Sequence, residues 1–253
     1  MKSFHSSQAV KDKYLNRLME HHRMDKIIQG EGWNGDGGCA VGCTLEKYNH
    51  KAYEDELGLP EWLARLEDSI FEGLPEEKAP KFAVDFLTSI PVGVDVEKVK
   101  WKFCSFILKE NIERVLGLKN ISDELKKQVV DSIRGVLTLT EEASVSGNWD
   151  ESAAESAARS AWSAAESASS AAWSARSAWS AAESAWSAAE SASSAAWSAR
   201  SAAWSARSAS SAAESASSAA SSAAWSAARS AESAAYERYA GELLRLLKKS
   251  HAK

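Results

Sequence analysis

Two thiols stand four residues apart in a glycine-rich run, Gly35-Asp36-Gly37-Gly38-Cys39-Ala40-Val41-Gly42-Cys43-Thr44. Residues of these types at this spacing suit several chemistries. Cys39 follows a glycine turn at the expected start of a short helix, where unpaired amides stabilise a thiolate and can hold an oxyanion. His21 and Asp25 lie one helical turn apart upstream, so an imidazole oriented by a carboxylate is available as a base. That combination predicts a thiol-dependent hydrolase or transferase with Cys39 as nucleophile, His21 as base and Asp25 as orienter. Alternatively Cys39 and Cys43, with His50 and His22, supply two sulfurs and two imidazoles for zinc, although Cys-x3-Cys matches no standard zinc module. A phosphate loop is the weakest reading, because Gly37-x4-Gly42 is followed by Cys43 where the lysine belongs and no buried strand precedes it. Against all of these stands packing: cysteines are small apolar residues, and the glycines turn the chain.

Other ionisable residues offer less. Glu67-Asp68 is a possible acid pair, but its neighbours Ile70 and Phe71 suggest the solvated side of an amphipathic helix. Cys104, inside Trp101 to Leu108, has the setting of a core residue, and His5, His50 and His251 have no obvious partner.

The elements expected to carry these groups are helical throughout. Residues 8–28 place Val10, Tyr14, Leu15, Leu18, Ile27 and Ile28 at roughly helical spacing. Five glycines between Gly30 and Gly38 then mark a loop with permissive backbone angles. Pro60 opens a helix whose Leu63, Leu66, Ile70 and Phe71 share a face, with Gly73 and Pro75 ending it. Further helices are expected near 76–89, 95–116 and 122–142, the last capped by Asp123. Residues 1–147 therefore form an all-α head domain, with cofactor none in the first reading and Zn in the second.

Residues 148–240 follow a different rule. A variable residue drawn from Glu, Arg, Trp and Ser precedes Ser-Ala 24 times between Glu151 and Tyr236, with no Gly or Pro. The pairs recur every three or four residues, which is the helical period. Residues 160–176 recur letter for letter at 184–200, and the resulting step, slightly tighter than an ideal helix, favours a left-handed supercoil of the coiled-coil kind. Trp173, Trp197 and Trp204 each precede an Arg by three positions, where a guanidinium can cover an indole. Seven repeat Trp residues are still too much exposed aromatic surface for a lone rod, which predicts self-packing or oligomerisation, with itself or with another helical protein as partner. Residues 241–253 read as a basic amphipathic tail.

The chain of 253 residues has a formal net charge of −5, which advertises no nucleic-acid surface. Three cysteines make no secreted disulfide framework, the N-terminus lacks an apolar signal core, and no stretch is apolar enough for a membrane span. The expectation is a cytoplasmic protein.

The quoted motifs also resemble those of a family of uncharacterised bacterial and phage-encoded proteins with an Ala-rich C-terminal region. The resemblance rests on His21/Asp25, Gln29-Gly30-Glu31-Gly32-Trp33, Gly38 to Thr44, and Pro60 to Asp68. It extends over residues 8–90 and, in composition alone, over the tail. It implies that the head is one unit and implies no activity. The leading expectation is accordingly an interaction or scaffold protein.

Overall fold

The computed structural model describes residues 1–119, 122–147, 149, 152–153, 226–227 and 229–250. The expected Ser/Ala helix falls almost wholly outside these. Among the described residues the protein is all-α, and no helix is long and apolar enough to cross a membrane.

Helix α1 (Gln8–Arg23) is capped by Ser7, whose hydroxyl accepts from the Val10 amide. It ends earlier than the apolar spacing suggests. Lys26 donates its amide to His21 O and Asp25 to His22 O, with Asp25 at φ +52°. This is a Schellman closure in which Asp25 occupies the left-handed position usually given to glycine.

A loop then leads to the short α2 (Ala40–Leu45), followed by α3 (Ala52–Leu57), α4 (Glu61–Gly73) and α5 (Ala79–Ser89). Leu63, Ala64, Glu67, Ile70 and Phe71 form the buried stripe of α4, and Phe82, Ala83, Phe86 and Leu87 that of α5. Helices α6 (Glu97–Gly117) and α7 (Asp123–Ser146) pair antiparallel. Lys98 Nζ donates to Val145 O, Ser105 Oγ donates to Thr140 Oγ1 at 2.8 Å, and Lys109 pairs with Glu141. Ser122, and not Asp123, caps α7, and Gly147 at φ +79° closes it.

The tail is not separate from the head. Residues 229–248 are helical, and Ala240, Leu243, Leu246 and Leu247 belong to the same core as Leu18, Leu63, Phe71 and Phe86. Tyr239 meets Phe103 and Phe106 edge-on, Lys78 pairs with Glu237, and Arg238 pairs with Glu110. Tyr236 lies on Gly73 so closely that a Cβ there would come within 2.3 Å of the ring. What looks from its charges like a basic appendage is the helix that closes the head.

Candidate functional site

The glycine loop is built by backbone packed on backbone. Cys39 donates its amide to Glu31 O at 2.7 Å and to Gly32 O at 3.2 Å, while Gly38 donates to Lys26 O. A Cβ at Gly42 would sit 1.8 Å from Gly32 O, and one at Gly38 2.3 Å from the same atom. Only glycine fits where the Gly32 segment of the loop presses on α2. Asn34 Oδ1 accepts from the Asp36 and Gly37 amides, which fixes the turn.

The two cysteines have different surroundings. Cys43 Sγ donates to Gly38 O at 3.2 Å and to Lys26 O at 3.4 Å, so it satisfies loop carbonyls; burial pushes its pKa up to about 11. Cys39 is the N-cap of α2, its sulfur accepting from the Gly42 amide at 3.5 Å. Burial raises the Cys39 thiol well above the ordinary range, and the adjacent Asp68 carboxylate raises it further, which outweighs the Gly42 and Val41 amides. At rest Cys39 is a neutral thiol.

The structure does not assemble His21 and Asp25 around it. His21 is buried edge-on against Trp33, with ring centroids 5.5 Å apart, and its Nδ1 has no hydrogen-bond partner among the described residues. Asp25 follows the end of α1, and the helical spacing that would bring it to His21 is broken. It lines an open groove of about 710 Å³ together with His22, Ile28 and Glu76. His22 is exposed on that side, and among the described residues no group of three or more His, Cys, Asp or Glu side chains is arranged to hold a metal ion.

What converges near Cys39 is a set centred on α4. Asp68 Oδ2 accepts the Tyr48 hydroxyl hydrogen at 2.9 Å and lies 3.1 Å from His50 Nε2. Tyr48 and His50 meet edge to face at 4.9 Å. The Tyr48 ring also covers Gly32, where a Cβ would come within 2.6 Å of it. Burial, with the Asp68 hydrogen bond and charge, pushes the Tyr48 hydroxyl up to about 12. The Cys39 thiol and Asp68 are neighbours, and Asp68 Oδ1 is buried with no partner at hydrogen-bond geometry among the described residues.

One residue earlier on α4, Glu67 is fully buried, and its Oε2 accepts from Tyr53 Oη at 2.7 Å. Burial, aided by the nearby Asp68 charge, holds its carboxyl well above the usual range despite the tyrosine bond. Burial therefore favours the protonated form of Glu67. The solvated face expected for Glu67-Asp68 is corrected: the pair points inward. Sequence reasoning missed Tyr48 and Tyr53 altogether and gave His50 only a metal role. A signal was present, since Glu67 occupies the buried register of Leu63, Ile70 and Phe71.

Comparison with protein families, curated proteins and solved structures finds no match for this chain.

Proposed function

We propose that the protein is an interaction or scaffold protein in which one helical head holds both ends of the Ser/Ala repeat, and the repeat mediates self-packing or association with another helical chain. The observation that carries this reading is the docking of residues 236–247 into the head core. The repeat is then an insertion in a closed domain, presented by the head at two points. Trp149, just before it, stacks on Trp101 at the start of α6, with centroids 4.4 Å apart. Ala231 and Ala234, at its end, lie with Arg114 near the other end of α6. Arg114 is thirteen residue steps beyond Trp101 along the helix, so the two anchors are about 20 Å apart at 1.5 Å per residue. A straight helix of some 80 residues would be about 120 Å long, which favours a repeat that turns back and packs its small-residue faces together. Three free thiols suit a reducing compartment and support a cytoplasmic location.

The test replaces residues 154–225 with a 16-residue Gly/Ser linker, whose mean span of about 22 Å matches the anchors. Light scattering after gel filtration should show that the full chain associates, or binds a helical partner, and that the shortened protein stays monomeric with its head folded. An unchanged oligomeric state and unchanged partner binding would overturn the reading.

A further inference from the structure

The seam between α6 and α7 has two unlike flanks. The Ser105–Thr140 hydrogen bond marks its middle, and the Lys109–Glu141 ion pair lies to one side. Counting about 100° per residue from Ser105 and Thr140, the other side carries Cys104, Leu108 and Val115 from α6 and Leu125, Val136 and Leu139 from α7. All six are half-buried and lie outside the main core. On that flank neither Trp101 to Val115 nor Leu125 to Leu139 supplies a charged residue. An amphipathic pair facing only water would place its charges there. The flank is instead an apolar groove along the pair.

The course of the chain says what covers it. Gly147, at φ +79°, closes α7, and Trp149 then lands on Trp101, which stands on this same flank, with ring centroids 4.4 Å apart and planes 10° from parallel. Residues 152 and 153 are helical. When the described chain resumes at residue 226 it passes Arg114, near the other end of α6. The repeat therefore has to cover the length of α6 between its two anchors, and the groove runs along that length. Its opening sequence suits the groove, for Ala154, Ala157, Ala161, Ala165 and Ala168 recur at helical spacing. A helix with so small a face can approach two others closely. We propose that the α6–α7 groove is the intramolecular docking site of the first arm of the Ser/Ala repeat, residues 154 to about 170, before the repeat projects beyond Arg114. This assignment rests on the repeat being an insertion held by the head at both ends.

Cys104 lies in the groove and reports on its cover. Iodoacetamide labelling of the native full chain, read by peptide mass spectrometry, should modify Cys104 more slowly than in the protein whose residues 154–225 are replaced by the linker, by on the order of tenfold. Leu139→Lys puts a charge in the groove on a stem long enough to leave α7 folded. In the full chain it should raise Cys104 labelling toward the rate of the shortened protein, and in the shortened protein it should change nothing. Urea unfolding checks that each variant is folded. If the shortened protein does not fold, Leu139→Lys and Val136→Lys in the full chain carry the comparison. Protection of Cys104 should persist on dilution, because the arm belongs to the same chain. Protection lost on dilution would seat the repeat of a second copy in the groove and overturn the intramolecular assignment. Equal labelling of Cys104 with and without the repeat would overturn the proposal, as would protection indifferent to both lysine substitutions. Oligomeric state and partner binding are separate readouts, so the groove can fail while the insertion reading stands.

Discussion

Tyr53 donates its hydroxyl hydrogen to Glu67 Oε2 at 2.7 Å, and both side chains are fully shielded from water. Burial of this kind favours the neutral acid, and the carboxyl's pKa lies well above the ordinary carboxylate value. The pH dependence of stability follows from the sign of that shift. Below the unfolded-state pKa, about 4.3, both states hold the proton and the contribution is complete. As pH rises the unfolded chain releases its proton while the folded chain keeps it, so stability falls by up to about 1.4 kcal/mol per pH unit until the folded pKa is passed. Glu67→Gln keeps a group that accepts from Tyr53 and cannot titrate. Urea unfolding should therefore show the variant gaining on the wild type progressively above about pH 4.5. Parallel stability curves would show that Glu67 is already ionised in the fold. Tyr53→Phe should cost about 1–3 kcal/mol at pH 5, since it leaves a buried acid oxygen without its donor.

Two glycine substitutions should act in opposite directions. A methyl at Gly42 would meet the Gly32 carbonyl oxygen at 1.8 Å, and both partners are backbone. Gly42→Ala should therefore prevent folding of the head or lower its stability by several kcal/mol, about the upper range for point mutants. Gly135 lies within α7 with nothing within 4 Å of a built Cβ. There Ala should stabilise by about 0.8–1 kcal/mol, the difference in helix propensity. Thermal melts of the two variants check both signs, and a tolerated Gly42→Ala would mean that the loop does not press on α2.

These outcomes also mark what the sequence carried. Helices α4 to α7 were legible because their apolar spacing and their Pro and Gly boundaries are local signals. The end of α1 was not, because Asp25 takes a left-handed conformation that glycine would have announced, and the His21/Asp25 pairing was lost with it. Cys39 was singled out by its glycine neighbours. Tyr48, His50 and Asp68 come from separate segments, and only tertiary packing brings them together. Glu67 misled in a different way: a charged letter suggested solvent, whereas its register placed it among Leu63, Ile70 and Phe71. The tail's apolar stripe, Ala240, Leu243 and Leu247, was masked by the lysines around it. The expected Ser/Ala helix lies outside the described residues, so its period remains an expectation.

Leu243 tests whether the head is complete without its last helix. It is fully buried in the common core, with Leu247 one turn on. Leu243→Ala should cost about 2–5 kcal/mol, the range for a large apolar side chain removed from a core. Ending the chain at residue 235 should remove the apolar cover from α4 to α6 and leave a head that unfolds at much lower urea or aggregates. A truncated head as stable as the full protein would separate the tail from the domain after all.

The two anchors of the repeat make the last prediction. If the inserted segment returns to the head as a hairpin, each arm holds about 36 residues and extends about 55 Å at 1.5 Å per residue. Small-angle scattering of the full chain should then give a particle with one stalk of that length, and circular dichroism should lose much of its helical signal when residues 154–225 are replaced by the linker. An extended particle more than about 120 Å beyond the head would require the C-terminal helix to leave the core, because a straight rod of that length cannot begin at Trp149 and end beside Arg114. In that case Leu243→Ala would leave stability unchanged, so the scattering and the mutant test the same contact from opposite sides.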